Sequence, residues 1–268
     1  MKGYGRAPMS LTYGRYLHLD ELLAAQAPLS QGPEHDEMLF IVVHQVYELW
    51  FKQMLHEARF LQQLLERRDT HHALSTLKRM LTILKTLVAQ VDVLETMTPM
   101  SFNAFRSRLE TASGFQSAQF RELELVLGHK REDVLSYYPE GSPERATLVE
   151  GLAARTVWDS FLSYLDGQGF SVPVEALRRD VRAPVLASTA VQAVLLRVYR
   201  DDALSSQVCE RLVDLDEGLQ EWRYRHVKMV ERTIGSKIGS GGSSGTEYLK
   251  TTLFRPLFPD LWEIRARL

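Results

Sequence analysis

Val208, Leu212, Leu215, Leu219, Trp222, His226 and Met229 recur at steps of three or four residues, so they share one face of a helix spanning Ala203–Ile234. A stripe of that length has to be buried against other helices. Elsewhere strand-like alternation is almost absent, while helical periodicity returns again and again. No tandem repeat and no linker separates two cores. The expected architecture is all-α: one helical domain over residues 1–268, with long core helices.

The remaining elements follow from periodicity and capping residues. Leu11–Gln26 is a short, tyrosine-bearing amino-terminal segment, and residues 30–34 open a long helix, His35–Glu66. Asp69 or Thr70 can cap a second, Leu74–Glu95, whose Leu74, Leu77, Leu81, Leu84, Leu87 and Val88 share a face. Thr98-Pro99 is an N-cap followed by proline at the first helical position, which starts Pro99–Leu109. Ala118–Leu127 resumes the pattern after a break at Ser113–Ser117. Ser142-Pro143-Glu144 opens short helices through Gly151 and around Val157–Leu165. Val185–Asp201 and Tyr248–Phe254 complete the set, and Asp69-Thr70-His71-His72 reads as a solvated turn.

Composition removes several function classes. A formal charge of −2, with no run of lysine and arginine, argues against nucleic acid and against an anionic membrane surface. The longest clean apolar run, Met38–Val43, is far too short to cross a bilayer. The single cysteine, Cys209, cannot form an intramolecular disulfide and fits a reducing compartment. Met1–Ser10 lacks an apolar core of signal-peptide length. The expectation is a soluble, cytoplasmic protein.

Two histidines interrupt apolar helical faces. His226 sits in the stripe described above, and His44 is four residues from Phe40 in Glu37–Trp50. His226 is either a core imidazole bonded to a carbonyl or a ligand for a metal or haem iron, because a buried polar group needs a partner, and His44 by itself reads as a structural histidine. Arg106, among the aromatics of Phe102-Asn103-Ala104-Phe105-Arg106, is either a surface residue with a buried stem or a clamp for a carboxylate. Glu-x-x-His and His-Glu-x-x-His are both absent, which weakens a di-iron bundle and removes the helical zinc-hydrolase signature. Gly241-Gly242-Ser243-Ser244-Gly245 matches Gly-x-Ser-x-Gly, but a helix and not a strand precedes it, so the match is accidental. The same glycines and serines are either a connector or a loop whose N–H groups can approach a charged ligand.

The order and wording of six blocks resemble the tryptophan 2,3-dioxygenase family. They are Leu-Thr-Tyr-Gly-Arg-Tyr-Leu (Leu11–Leu17), His-Asp-Glu-Met-Leu-Phe-Ile (His35–Ile41), Glu-Leu-Trp-Phe-Lys (Glu48–Lys52), Ser-Gly-Phe-Gln-Ser (Ser113–Ser117), Trp-Arg-Tyr-Arg-His (Trp222–His226) and Gly-Ser-Gly-Gly-Ser-Ser-Gly (Gly239–Gly245). The resemblance runs from about Leu11 to about Pro259.

It implies a helical homotetramer that uses haem b and O₂ to open the indole C2–C3 bond of L-tryptophan, giving N-formyl-L-kynurenine, the first step of kynurenine-pathway catabolism. By this resemblance His226 is the proximal iron ligand, and Ser113 and Gly114 line the distal haem pocket. His44 accepts a hydrogen bond from the indole N–H, and Phe40 packs on the indole. Arg106 pairs with the substrate carboxylate, Ser240 stands near the substrate ammonium, and Tyr13, Tyr16 and Leu17 close the site of a neighbouring subunit. Two positions depart from the family pattern. Phe102 stands where the family carries a tyrosine that helps hold the carboxylate, a hydrogen bond worth roughly 1.5–3 kcal/mol. Ser240 replaces a threonine and keeps its hydroxyl. Both lie at the amino-acid end of the substrate, so the alternatives are a haem oxygenase acting on a tryptophan derivative or another aromatic amino acid and, in a different class, a non-enzymatic helical binding protein.

Overall fold

A computed structural model describes residues 10–32, 34–237 and 246–268. Two short helices, α1 (Tyr13–Leu17) and α2 (Leu19–Leu23), precede the long α3 (His35–Glu66) and α4 (Thr70–Leu94). α5 (Pro99–Arg106) leads through 3₁₀ turns at Ser107–Leu109 and Gly114–Gln116 into α6 (Ala118–Leu127). α7 (Pro143–Ala153), α8 (Val157–Gly167) and the single turn α9 (Val174–Leu177) follow. α10 (Thr189–Asp201), the long α11 (Ala203–Ile234), α12 (Thr246–Lys250) and α13 (Pro259–Glu263) complete the chain. No strand occurs among the described residues, so the fold is all-α.

Side chains at the helix starts explain most of the boundaries. Asp69 accepts a hydrogen bond from His72 N–H at 3.2 Å, so α4 begins at Thr70, four residues before the expected Leu74. The expected solvated turn at Asp69–His72 is therefore the capped first turn of α4, with exposed His71 and His72, the latter's Nδ1 2.7 Å from Asp69. Thr98 caps α5 through Ser101 N–H at 3.1 Å, and the α-helix ends at Arg106 before tightening into 3₁₀ geometry. α10 starts at Thr189 and not at Val185. Ser188 arrives in extended conformation with its N–H held by Asp260 at 2.6 Å, and its hydroxyl caps Val191. At the carboxy-terminal end, the segment Tyr248–Phe254 is helical only as far as Lys250, in α12. Phe254 takes φ 57°, a conformation no helix continues through, two residues before Pro256.

α4 packs against both α3 and α11, while α3 also packs against α6 and α8. Val208, Leu212, Leu215, Leu219 and Trp222 of the α11 stripe are all buried. α4 and α11 meet closely at Gly218, where an added Cβ would stand 2.7 Å from Leu84 Cδ2. Three hydroxyls tie the helix starts together: Tyr164 Oη lies 3.0 Å from Thr70 Oγ1 and 2.8 Å from Ser205 Oγ. No helix among the described residues is long and apolar enough to cross a membrane.

The carboxy-terminal segment is tethered to α11 by a fully buried carboxylate. One oxygen of Asp216 accepts from Leu257 N–H (2.8 Å), Phe258 N–H (3.1 Å) and Trp262 Nε1–H (2.9 Å). The other accepts from Gln220 Nε2–H at 2.9 Å. Hydrogen bonds to a charged group contribute about 1.5–3 kcal/mol each, and orphaned buried donors add a further cost. Asp216→Ala is expected to lower the unfolding free energy by about 3 kcal/mol or more in urea titrations, with Asp216→Asn costing less. An Asp216→Ala protein within about 1 kcal/mol of the parent would remove this tether from the account.

Candidate active site

α3 carries Phe40, His44, Glu48 and Phe51 at steps of four, four and three, and all four line one cavity of about 240 Å³. Trp222, His226, Val230 and Thr233 of α11 line the opposite wall. Phe102 of α5, Phe120, Arg121 and Glu124 of α6, and the turn around Ser113, Gly114 and Phe115 close the remainder. That turn is held by its own capping box, in which Gln116 Oε1 accepts from Ser113 N–H and Ser113 Oγ accepts from Phe115 N–H, both at 3.4 Å. Gly114 opens onto free space, with nothing within 4 Å of where a Cβ would stand.

Near Phe40 the wall is aromatic. Its ring centroid lies 4.0 Å from that of His44, 5.8 Å from Phe102 and 5.5 Å from Phe105. Such a surface suits a flat aromatic ring. His44 Nδ1 lies 2.7 Å from the Phe40 carbonyl oxygen, four residues back on the same helix. A carbonyl only accepts, so Nδ1 carries the proton and Nε2 is left as an acceptor. Burial lowers the His44 pKa from its ordinary value, against the opposing pull of that carbonyl and of Glu48, which keeps the ring neutral at pH 7.

His226 is pushed down to about 4, first by burial and then by His44 and the Arg121 guanidinium. It too is neutral, with a lone pair available to a metal ion. Among the described residues no hydrogen bond reaches either of its ring nitrogens. Trp222, one turn earlier, lies parallel to it at 5.3 Å and 6°. The cavity therefore holds two neutral imidazoles presented by two different long helices.

At its far end the cavity meets a buried ionic cluster. Glu124 accepts from Arg121 Nη1 and from Arg223 Nη2, each at 2.7 Å, with Arg131 Nη2 at 3.7 Å. Burial pushes the Glu124 carboxyl up, but the three guanidiniums outweigh it and hold the pKa at about 2. His129 beside them is driven down to about 4 by burial, with the Glu124 carboxylate opposing and the arginines reinforcing that shift. Arg121 Nε and Arg223 Nη1 are buried without a hydrogen-bond partner among the described residues, and both side chains line the cavity. Trp222 Nε1 is likewise unbonded. The Tyr47 hydroxyl feels that indole N–H, but the contact falls outside hydrogen-bond geometry, and Tyr47 already donates to the Leu87 carbonyl at 2.9 Å. An anionic group entering the cavity would find unused donors at this end.

Of the site residues expected from sequence, Phe40, His44, Phe102, Ser113, Gly114 and His226 come together around this cavity. Arg106 is half-buried one turn beyond Phe102 on α5 and is not among the lining side chains. Tyr13, Tyr16 and Leu17 are exposed on α1, away from the cavity. Ser240 lies outside the described residues. Sequence reasoning missed Arg121, Glu124 and Arg223. Their signal was a pair of charges three apart inside the apolar run Ala118–Leu127, and an arginine directly after Trp222.

Glu124 makes acid stability testable. Its pKa is lower in the folded protein than in the unfolded chain, so its stabilisation is full above about pH 4.5 and fades as pH falls towards 2. Glu124→Gln leaves buried guanidiniums without counter-charge and is expected to cost about 3 kcal/mol or more at neutral pH. In urea titrations across pH the gap between the two proteins should narrow on acidification. A gap independent of pH would show that Glu124 is not the titrating partner.

A family model described as tryptophan 2,3-dioxygenase matches residues 2–145 and 158–268. A tryptophan 2,3-dioxygenase of Anaeromyxobacter sp. (strain K) is 63% identical over 261 residues, covering 97% of this chain and 97% of its own. The protein of that name from Herpetosiphon aurantiacus is 59% identical over 97% of this chain and 99% of its own. That from Caulobacter vibrioides is 44% identical, over 96% and 98%. With likeness of this extent over nearly its whole length, the chain belongs to the tryptophan 2,3-dioxygenase family.

Proposed function

We propose that this protein is a haem-dependent dioxygenase, working as one helical domain, that inserts both atoms of O₂ across the indole C2–C3 bond of L-tryptophan and releases N-formyl-L-kynurenine. The observation that carries the reading is the pair of neutral imidazoles, His44 on α3 and His226 on α11, facing one aromatic-walled cavity. The cavity suits haem b on its own chemistry. Its walls are apolar and aromatic, its far end has unused guanidinium donors for carboxylates, and His226 offers a neutral nitrogen. His226 would hold the iron, Arg121 and Arg223 the carboxylates, and Ser113 and Gly114 would line the distal side. The bound group supplies the iron chemistry that activates O₂.

The protein's own residues supply orientation and the exclusion of water. His44 Nε2, fixed as an acceptor, takes the hydrogen bond of the indole N–H, and no proton abstraction is required of it. Phe40 and Phe102 flank the ring. Arg106 pairs with the substrate carboxylate, Ser240 stands by its ammonium, and together they set where the C2–C3 bond lies. Tyr13, Tyr16 and Leu17, largely exposed on α1, would complete the site of a neighbouring copy in a homotetramer. The working compartment would be the cytoplasm. A second reading, oxygenation of a tryptophan derivative or another aromatic amino acid, is favoured by Phe102, which brings no hydroxyl to the amino-acid end.

The test is the absorption spectrum of the purified protein, ferric and then ferrous with carbon monoxide, with and without L-tryptophan. A Soret band that shifts with L-tryptophan, and a product heavier by two oxygen atoms, are expected. A band indifferent to L-tryptophan would move the assignment to the second reading, and no band after haem reconstitution would end both. His226→Ala should abolish stoichiometric haem binding. Phe102→Tyr should lower the KM for L-tryptophan about tenfold, matching one added hydrogen bond to a charged group. An unchanged KM would show that the missing hydroxyl is compensated elsewhere.

A further inference from the structure

A metal-bound imidazole ordinarily has its second ring nitrogen fixed by a carboxylate, a carbonyl or water. His44 has such an anchor in the Phe40 carbonyl at 2.7 Å. The outer torsion of a histidine is broad and roughly two-fold, so a ring that must meet a metal in one orientation needs a restraint. The restraint available here is a flat surface. Trp222 lies one helical turn before His226, its ring parallel to the imidazole within 6° at 5.3 Å. Trp222 is itself clamped by Phe51 edge-on (6.0 Å, 89°) and by Phe120 (4.9 Å, 46°), and is only 8% exposed.

We propose that Trp222 is a positioning residue that sets the plane of the His226 imidazole by stacking. The inference rests on the reading of His226 as the iron ligand. Rotation of that ring changes how its lone pair and π orbitals meet a bound iron, so the stack fixes an electronic property and not only a fold. Aromatic stacking is sequence-local here: both partners belong to α11, and the relation survives any movement of α11 as a unit.

The experiment uses the full chain with hemin as probe and Trp222→Leu, Trp222→Met and Trp222→Phe as variants, with His226→Ala beside them. Trp222→Leu is expected to bind hemin stoichiometrically but to release it to apomyoglobin about three- to tenfold faster, the range expected for losing one aromatic pair. Its ferric electron paramagnetic resonance signal should spread over more than one rhombicity. Trp222→Phe, which restores a flat ring, should return both towards the parent. Trp222→Met carries the test if the leucine variant does not fold. Parent-like release and resonance in the leucine or methionine variant would overturn the proposal, as would a phenylalanine variant no better than leucine. Full hemin retention by His226→Ala would sink the ligand reading itself, and is told apart because it does not depend on residue 222.

Discussion

Asp216 is fully buried at the middle of α11, and one of its oxygens takes three donors from the carboxy-terminal segment. A carboxylate in that position is tolerable only because its hydrogen bonds are made. The tether has a geometric result. It pins the chain's end against α11 beside the place where Gly218 lets α4 approach, so the helix is held from two sides shortly before it reaches Trp222 and His226. α3 is fixed by α6 and α8 and shares α4 with α11. The placing of His44 and His226 is thus set by two long helices packed on a common third, a more accurate support than loops.

The cavity shows one dielectric environment producing opposite charge states. Burial strips the charge from His44, His129 and His226, but leaves Glu124 ionised beyond its ordinary range. The difference lies in the partners. Glu124 has guanidiniums at 2.7 Å on two sides, while no anion close enough to compensate faces His226. Neutral, lone-pair-bearing imidazoles and a guanidinium cluster with unused donors follow within one pocket. That polarity would orient any ligand having an apolar body and acidic ends.

Much of this was legible in the sequence, for identifiable reasons. The bounds of α3, α6 and α11 are readable from apolar periodicity, to which Ser117 and Asp202 add side-chain caps at the last two. The start of α10 is not, because Ser188 answers to Asp260, 72 residues away. Phe40, His44, Ser113, Gly114 and His226 carried local wording or a histidine on an apolar face. Arg121, Glu124 and Arg223 did not stand out, since charges on a helix ordinarily signal a solvated face. Only the packing of α6 against α3, with α11 supplying Arg223, reveals that these are interior.

The hydrogen bond from His44 to Phe40 ends on a main-chain oxygen, not on a side chain. The protonation pattern of the imidazole is therefore encoded by helix geometry, and the side chain at position 40 is free of that duty. Ring size and shape at 40 can drift over generations while the acceptor at His44 Nε2 stays in place. Substrate fit and proton placement are two traits read from one residue, yet they are separately heritable, which gives the pocket room to adapt its selectivity without relearning its chemistry.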